Sequence, residues 1–326
     1  MSTLPATTAV SGDPIDVSVI IPTYNRLWCL PRAVASCRGT KCATQIIVCD
    51  DGSTDGTWEW LQTQPDLVAV KQNNQGQTWA INRATRDATG RYVRFLDSDD
   101  YLLPGIIDRQ FAAAESSGAD VTYSRVDIRE EETGAVEQYP DPPLWEDFTA
   151  VMLGEGYGSH FLGMMFRRSF VEDIPRRPEF ALREDRAFLL EVALKNPKLA
   201  AVEGCAGYWT RHGRQMHTGY QGLQTTVAAC QMWKLYERAL TQLEARGELT
   251  PRRARAASQV LWRASHAIAR SHLTDALALV ARIRQIDPQF IPTGESPTVR
   301  RLYALLGFAG TQYLFRVRRW FFRQIR

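Results

Sequence analysis

The sequence lacks the features that mark a membrane-spanning, secreted or disulfide-bonded chain. No run of about 18 apolar residues occurs in its 326 residues, so we expect no conventional spanning helix. The first dozen residues have neither a basic start nor an apolar core of about 7–15 residues, which predicts no secretory signal and a cytoplasmic location. No CxxC pair occurs and most cysteines lie in apolar stretches, so we expect reduced, buried thiols. The cysteines are Cys29, Cys37, Cys42, Cys49, Cys205 and Cys230.

The small net charge hides two oppositely charged regions. The net charge is +3, yet residues 221–326 contain 17 Lys and Arg against 6 Asp and Glu, so the preceding part of the chain is acidic. A basic region can serve nucleic acid, an anionic membrane surface or solubility alone, and composition does not choose among them. The 44% hydrophobic content suits one large domain with an appendage or two smaller domains, and no internal repeat is evident.

The first hundred residues alternate apolar strands with helices. Residues 17–22 form a continuous β-branched run ended by proline, which is typical of a strand buried on both faces of a parallel sheet. Four such strand and helix units predict a doubly wound α/β fold. The predicted strands are 17–22, 45–49, 67–71 and 92–96, and the predicted helices are 30–37, 56–64 and 77–89.

The rest of the chain is predicted to become progressively helical. A helix over 104–117 and a strand over 119–124 precede a charged, proline-rich loop over 126–143. We then expect a helix over 144–153, a strand over 161–167, a helix over 183–194, and long helices over 221–246 and 252–286. The predicted domains are a flexible tail over 1–15, a catalytic α/β domain over 16–220 and a helical region over 221–326.

The residues that directly follow the strands form a polar, acid-rich rim. In open parallel sheets ligands bind beyond the carboxyl ends of the strands, so these residues are the candidates for function. They are Thr23, Tyr24 and Asn25 after the first strand, Asp50 and Asp51 after the second, and Asp97, Ser98 and Asp99 after the fourth.

Asp97-Ser98-Asp99-Asp100 is the sharpest local signal. Three carboxylates within four residues repel one another unless a cation joins them, and Mg²⁺ or Mn²⁺ is commonly held by carboxylates and phosphate oxygens. The alternative is an acidic turn in which Asp100 caps the following helix. The local sequence alone does not decide between these interpretations.

Four motifs in order resemble the inverting family 2 glycosyltransferases with the GT-A fold. PTYN follows the first strand, DDGSTDGT the second, NNQGQTWAINRA opens the helix of the fourth unit, and FLDSDD ends the fourth strand. The resemblance covers about residues 16–217 and implies a Rossmann-like, mostly parallel sheet flanked by helices, followed by the additional helical region. It also implies sugar transfer from a nucleotide-diphosphate donor to a hydroxyl of a glycan or lipid-linked saccharide.

The resemblance assigns roles to the rim. It implies nucleotide binding by the PTYN and DDGS loops and the fourth strand end, metal binding by Asp99, Asp97 and His212, and phosphate binding by Arg211 and Arg214. UDP is the first guess for the nucleotide and Mn²⁺ or Mg²⁺ for the ion. The nucleotide-side candidates are Pro22, Thr23, Tyr24, Asn25, Asp50, Asp51, Asp97 and Ser98.

The resemblance is incomplete at one arginine position and leaves two histidines as candidates. Relatives often read Ala-Arg-Asn where this chain has Ala80-Ile81-Asn82, and Arg83 lies about 200° round the helix from the missing arginine, so a phosphate role for Arg83 is weak. His217 competes with His212 as the functional histidine.

Glu184-Asp185 is the candidate catalytic pair. An inverting transferase needs a base for the acceptor hydroxyl, and a carboxylate within hydrogen-bond reach is the usual solution. The pair begins a predicted helix and matches the family's ED motif, with Asp185 as the base. The alternative is that both acids only complement the helix dipole in its first turn.

The last thirty residues predict a basic amphipathic helix. No acid follows Glu295, and Arg316, Arg319, Arg323 and Arg326 fall within one arc, while Val317, Trp320, Phe321 and Ile325 face elsewhere. Residues 300–326 therefore suit an anionic membrane surface, which would place the enzyme at the inner face of the cell membrane. Packing on the catalytic domain or on a second subunit of a homo-oligomer is the open alternative.

Two other functions compete with glycosyl transfer. A sugar nucleotidyltransferase would use a similar sheet and metal-bound acids, but it usually carries a glycine-rich basic loop where this chain has PTYNR. A binding module for nucleotide sugars or carbohydrates, or a nucleic-acid variant of it, predicts loss of the acids that are present at Asp97, Asp99 and Asp185. No nucleic-acid partner is expected.

Overall fold

The structure is a computed structural model that describes residues 14–156, 158, 160–215 and 222–324, with side chains as far as residue 318. His217, most of the predicted N-terminal tail and the side chains of Arg319, Trp320, Phe321, Arg323, Ile325 and Arg326 lie outside the described part. The chain divides into two compact units, one made of residues 1–146, 159–188 and 195–216, the other of 147–158, 189–194 and 217–326. The second unit thus takes in two segments that the sequence suggested for the first.

The first unit is built on one nine-stranded sheet, which confirms the predicted α/β class. Its strand order is β3-β2-β1-β4-β8-β6-β9-β5, with β7 paired to β6. The first four neighbours run parallel, whereas β8 is antiparallel to both β4 and β6. The strands are β1 (Val17–Thr23), β2 (Thr44–Asp50), β3 (Leu67–Lys71), β4 (Tyr92–Phe95), β5 (Tyr101–Leu102), β6 (Val121–Glu130), β7 (Val136–Glu137), β8 (Met164–Arg167) and β9 (Leu199–Arg211).

Burial on both faces explains why the central strands read as continuous apolar runs. Every residue of β1 is buried, and β2 is buried from Ile46 onward, as expected for strands in the middle of a parallel sheet. The parallel register places Thr23 opposite Asp50. The carboxyl ends of β1, β2 and β4 therefore meet at one edge of the sheet.

The region after the fourth strand differs from the prediction. β6 continues to Glu130 and turns back through β7, so part of the expected 126–143 loop is a hairpin. Its charged residues find partners there, since Arg32 makes a two-pronged contact with Glu131 at 2.9 Å. Residues 161–163 are a 3-10 turn, so the predicted strand starts only at Met164.

The helices largely follow the predicted periodicity, with two differences. The helix expected over 144–153 is shortened to five residues, and the one expected over 252–286 is two helices separated near Ser271. The helices are α1 (Leu30–Ala35), α2 (Thr57–Gln62), α3 (Gln77–Thr85), α4 (Ile106–Ser117), α5 (Phe148–Met152), α6 (Arg168–Val171), α7 (Glu184–Leu194), α8 (Leu223–Ala245), α9 (Pro251–Ala269), α10 (Leu273–Ile286) and α11 (Pro297–Gln324).

A buried polar network ties the end of β4 to its neighbours. Arg94 is fully buried, donates to Gln110 of α4 and to the carbonyl of Leu162, and burial lowers its pKa to about 10. Gln110 in turn donates to the carbonyl of Gly163 at 2.8 Å. The network fixes the 3-10 turn over 161–163 against the sheet.

The second unit is helical and has its own core, formed by apolar residues that recur at helical spacing. Thr250 caps α9 by accepting from the Arg253 amide, and Pro251 occupies the first turn. α11 bends at Gly307, whose φ of 65° is not helical. Among the described helices, none combines the length and apolar character that a membrane crossing needs. The fully buried core residues include Leu240, Leu243, Ala257, Leu261, Ile268, Ala276, Leu279 and Ile283.

The cysteines are free thiols, as predicted. Cys29, Cys37, Cys49 and Cys205 are buried, whereas Cys42 and Cys230 are partly exposed. Burial raises the pKa of the Cys37 and Cys49 thiols to about 12. These groups are therefore inert thiols, not nucleophiles.

Candidate functional site

The PTYN and DDGS loops are bonded to each other at the sheet edge. The Asn25 amide donates to the Ser53 hydroxyl, and the Asn25 side-chain oxygen accepts from the Thr54 amide, both at 2.8 Å. Asn25 has a φ of 52°, a left-handed conformation that asparagine tolerates well. Tyr24 is 45% exposed, so it alone of Thr23, Tyr24 and Asp50 offers a large accessible surface at this rim.

Asp50 and Asp51 are buried, whereas side chains that bind a nucleotide base directly would have to be accessible. Asp50 is fully buried, and one of its oxygens accepts from the Ser53 amide. Asp51 accepts from the Gln75 amide at 2.9 Å and the Gly76 amide at 2.8 Å, which ties the DDGS loop to the start of α3. Both carboxylates thus shape the loops, and their contact with a nucleotide stays a prediction.

The conformation of the DDGS loop requires a glycine at position 52. Its φ is 80°, and a Cβ at this position would lie 3.0 Å from the Asn74 backbone nitrogen. An L side chain would therefore be strained here in both conformation and space. The residue lets the second strand's loop approach the segment before α3.

Asp97, Asp99 and Asp100 form one carboxylate cluster. An oxygen from each lies within 4.8 Å of the others. Asp97 accepts from the Gln77 side chain at 2.9 Å, and Asp100 accepts from the Thr210 amide at 2.8 Å. Asp100 therefore bonds to β9, and the alternative that it caps the following helix is wrong because α4 starts only at Ile106.

The cluster carries unfavourable negative charge. Burial, reinforced by the carboxylates of Asp185 and Asp99, raises the pKa of Asp97 to about 8. Burial also raises the pKa of Asp100 well above its usual range, with Asp99 and Asp97 adding to the effect. A divalent cation relieves such repulsion, and three carboxylate oxygens are hard donors that suit Mn²⁺ or Mg²⁺. The donor set fits the predicted ion.

His212 lies against the cluster, and its predicted role as a metal ligand stays a prediction. Its Nε2 is 3.1 Å from an oxygen of Asp99, and its Nδ1 accepts from the Arg214 amide at 3.1 Å. A neutral ring that accepts at Nδ1 carries its proton on Nε2, so His212 donates to Asp99 in this arrangement. Ligation of an ion through Nε2 would require that proton to move and the Arg214 amide to turn away.

The two predicted phosphate-binding arginines have different surroundings. Arg211 forms ion pairs with Glu130 at 3.3 Å and Glu137 at 3.5 Å on the β6–β7 hairpin. Arg214 instead places its guanidinium 5.4 Å from the Trp28 ring centre, close to His212. Arg214 is thus the better placed of the two toward the carboxylate cluster.

Glu184 and Asp185 open α7, and the structure separates their roles. Glu184 is buried, whereas the Asp185 side chain is 45% exposed. Arg176 donates through one nitrogen to both, at 2.9 Å and 3.0 Å. Burial raises the pKa of Glu184 to about 8, and Arg176 opposes that shift. Asp185 is the member of the pair that a substrate can reach.

One acid of the Glu184-Asp185 pair and two acids of the carboxylate cluster line one small cavity. Asp97, Asp100 and Asp185 line it together with Pro22 and His160. Ser98, a predicted nucleotide contact in the same turn, is buried. The predicted base Asp185 and the predicted metal ligand Asp97 therefore line the same cavity, while their roles stay predictions.

Three residues of the site escaped the sequence prediction. Arg26 directly follows PTYN and lies 3.8 Å from Asp99, so its position next to a motif was an available signal. Arg176 and His160 stand in irregular segments where periodicity carries no information. Arg83, whose phosphate role was weak, pairs with Asp87 on its own helix at 2.8 Å.

Comparison with known proteins relates part of the chain to one family. Residues 18–174 match the model of glycosyl transferase family 2. An uncharacterised glycosyltransferase, alr2836, of Nostoc is 31% identical over 62% of this chain and 66% of its own. The Escherichia coli UDP-Glc:alpha-D-GlcNAc-diphosphoundecaprenol beta-1,3-glucosyltransferase WfaP is 35% identical over 35% of this chain and 47% of its own. The chain spans about half to two thirds of the length of the curated relatives it matches first.

The fold also has solved counterparts. The mannosyltransferase PcManGT of Pyrobaculum calidifontis, in complex with GDP-Man and Mn²⁺, aligns with a TM-score of 0.53 and 18% identity. The alignment covers 90% of this chain and 80% of that one. The sheet order, the match of residues 18–174 and this alignment together show that the chain contains a glycosyl transferase family 2 domain with the GT-A fold.

Proposed function

We propose that the chain is an inverting glycosyltransferase that moves a sugar from a nucleotide-diphosphate donor to a hydroxyl group in one displacement. The observation that carries the proposal is the single cavity shared by Asp97, Asp100 and Asp185. A charged donor needs a cation and the acceptor needs a base, and this cavity offers candidates for both. The family 2 domain supports the same reaction class.

The nucleotide is proposed to lie along the edge formed by the PTYN and DDGS loops. Tyr24 is exposed at this edge and can stack on a base. Asp50 has one buried oxygen without a partner among the described residues, which a base N–H would reach only if the loop opened. UDP is the preferred nucleotide because an acidic side chain suits the uracil N–H. The relative WfaP is named for UDP-Glc, and PcManGT was solved with GDP-Man, so both nucleotides belong in a test.

A divalent ion is proposed to be held by Asp99 and Asp97, with His212 as a third candidate. When bound, Mn²⁺ or Mg²⁺ supplies positive charge to the donor diphosphate and to the leaving nucleotide. Arg214 and Arg26 would add positive charge on the same side, since Arg26 already lies 3.8 Å from Asp99. Charge that develops on a leaving diphosphate is stabilised selectively by such fixed cations.

Asp185 is proposed to be the base. It would accept the acceptor hydroxyl's proton as that oxygen attacks the anomeric carbon and the nucleotide diphosphate leaves from the opposite face. Its 45% exposure leaves a carboxylate oxygen open to the acceptor. Glu184 is enclosed against Arg176 and acts on Asp185 instead of on the substrate.

The acceptor is proposed to be a glycan or a lipid-linked saccharide. WfaP, which is named for a diphosphoundecaprenol-linked acceptor, supports a lipid-linked one.

Calorimetry with UDP and Mn²⁺, followed by donor turnover, tests the proposal. We expect UDP affinity to rise at least tenfold with Mn²⁺, and Asp99→Asn to abolish that rise. Asp87→Asn is the matched control, because Asp87 only forms a surface pair with Arg83. In the second step, a panel of nucleotide sugars is offered as donors, and we expect release of UDP or GDP from at least one of them. Binding without release would favour a binding module, and pyrophosphate formation from UTP and a sugar phosphate would favour a nucleotidyltransferase.

We also propose that α11 contacts an anionic membrane surface. Apolar side chains are exposed along it, with Leu305 at 80% and Tyr313 at 66%. Exposed Arg300, Arg301 and Arg318 flank them, which suits anionic headgroups. Arg316 departs from the predicted basic arc, because it donates to the carbonyl of Ala269 at the end of α9.

Vesicle flotation tests this surface on the full chain. The wild type should float with phosphatidylglycerol vesicles and stay behind with phosphatidylcholine vesicles. Replacing Leu305 and Leu314 together by Gln should abolish flotation, whereas Leu277→Gln on α10, also exposed, should not. A wild type that stays unbound on anionic vesicles removes the membrane proposal and leaves protein packing as the alternative.

A further inference from the structure

Arg176 is a buried cation beside the proposed base. It lies just beyond the segment that matches the family model. Only 3% of its surface is exposed, and a buried arginine is retained only where its charge has close partners. The contacts of Arg176 therefore help to determine the orientation and charge of the proposed base.

One guanidinium nitrogen serves both acids of the pair. The same nitrogen of Arg176 lies 2.9 Å from an oxygen of Glu184 and 3.0 Å from Oδ1 of Asp185. It can donate one hydrogen to each. The hydrogen bond from Arg176 goes to Oδ1 and not to the second oxygen of Asp185, and Asp185 is the exposed acid of the two.

Three aromatic rings hold the guanidinium plane. Its central carbon lies 4.4 Å from the ring centres of Phe95 and Phe161 and 4.3 Å from that of Phe188. These rings come from β4, the 3-10 turn over 161–163 and α7. Cation–π contacts restrict the guanidinium without competing for its donated hydrogen bonds.

The backbone of Arg176 is fixed as well. The Asn82 side chain donates to the Arg176 carbonyl at 2.8 Å and accepts from the Arg176 amide at 2.9 Å. Asn82 stands on α3, whose first residue, Gln77, contacts Asp97. The loop that carries Arg176 is thus anchored to the helix that also contacts the carboxylate cluster.

We infer that Arg176 is a positioning residue that fixes Oδ1 of Asp185 so that the second carboxylate oxygen faces the acceptor hydroxyl. The inference rests on the proposed function, because it needs Asp185 to be the base. Arg176 itself touches no substrate. Its effect on the reaction passes through the orientation of Asp185, while the same nitrogen also donates a hydrogen bond to Glu184.

Kinetics of Arg176→Lys test the inference. Lysine keeps the positive charge. It has no planar guanidinium to pack against the three rings while donating hydrogen bonds to both acids. We expect kcat for UDP release to fall about 10- to 100-fold, because small misplacement of a reacting group is costly, while KM for the donor changes less than about threefold. Arg176→Met should lower kcat further than lysine does. Arg38→Lys is the control, because Arg38 pairs with Asp66 at the surface.

An Asp185→Asn background separates positioning from general damage. If Arg176 acts through Asp185, Arg176→Lys should change the residual turnover of that background by less than about twofold. Phe161→Leu removes one ring but no charge, and its smaller kcat loss should disappear in the same background. Equal fold-losses with and without Asp185 would overturn the inference.

Urea denaturation gives a readout that needs no turnover. If the contact exists in solution, Arg176→Met should shift the unfolding midpoint less in the Asp185→Asn background than in the wild type. Equal shifts would overturn the inference. A wild type that releases no nucleotide from any donor would count against the proposed function instead, while the denaturation cycle would still test the contact.

Discussion

The two acidic groups of the site are neutralised in different ways. Among the described residues, the cluster of Asp97, Asp99 and Asp100 has an arginine side chain at 3.8 Å, that of Arg26, and a histidine hydrogen bond at 3.1 Å. The pair of Glu184 and Asp185 shares a buried arginine at 2.9 Å and 3.0 Å. The pair therefore carries its own counter-charge, whereas the cluster is left to receive one from solution. This contrast predicts which group holds an ion and which handles a proton.

The largest effect is expected from removing the proton acceptor. Asp185→Asn should lower turnover about 10²–10⁴-fold, the usual contribution of a positioned base. Affinity for UDP with Mn²⁺ should stay within twofold, because the ion is assigned to the other acidic group. Steady-state UDP release and calorimetry measure the two quantities.

Glu191→Gln on the same helix is the control for this variant. Glu191 forms an ion pair with Arg238 and lies outside the cavity. A loss of UDP affinity in Asp185→Asn as large as its loss of turnover would erase the distinction between the two acidic groups.

The second effect compares how much Arg176 and Arg26 each contribute to the free energy of unfolding. Arg176→Met should lower the free energy of unfolding by about 1–3 kcal/mol, because it leaves the buried Glu184 carboxyl without its arginine hydrogen bond. Arg26→Met should cost less than about 1 kcal/mol, because its partner is distant and both groups are partly solvated. Urea denaturation monitored by tryptophan fluorescence measures both. Equal costs would mean that the two acidic groups are neutralised alike.

The third effect is a pH dependence of metal binding. Because burial raises the pKa of Asp97 to about 8, this carboxyl is protonated at neutral pH in the metal-free protein. An ion must displace that proton, so Mn²⁺ affinity should rise up to about tenfold per pH unit until pH 8 and then level off. Calorimetry in two buffers of different ionisation enthalpy should show proton release at pH 7. Release that is equally large in Asp97→Asn would assign the proton to another group.

The smallest effect concerns Arg26 as a weak competitor of the ion. Arg26→Gln should strengthen Mn²⁺ binding by about 0.2–1 kcal/mol, since it removes a positive charge beside Asp99. Titration with Mn²⁺ in the absence of nucleotide measures this. Weaker Mn²⁺ binding in the variant would show that Arg26 supports the cluster by orienting Asp99.

Local patterns predicted the central strands and much of the rim. β1 and β2 are buried on both faces, so their apolar runs are continuous and recognisable. Asp97, Asp99 and Asp185 were found because each directly follows or begins a periodic element. β9 and the extension of β6 were not recognised, because both mix charged or partly buried residues with buried ones and form neither a continuous apolar run nor a regular alternation.

The partners of the site residues could not be read from the sequence. Arg176 meets Asn82, 94 residues away in sequence, and His212 meets Asp99, 113 residues away. Arg211 looked like a phosphate ligand, but the hairpin that was expected to be a loop brings Glu130 and Glu137 to it. Propensity and periodicity describe neighbours along the chain and not such distant contacts.

The sequence by itself determined the α/β class, the acidic rim and the order of the motifs, because backbone periodicity and strand-end position are local properties. Only the tertiary structure decided that Asp185 is open and Glu184 enclosed, and that His212 presents a hydrogen to Asp99. It also decided that a buried arginine lies 2.9 Å and 3.0 Å from the pair, whereas Arg26 lies 3.8 Å from the cluster. The physical reason is that burial and charge pairing depend on which side chains the packed sheet and helices bring together.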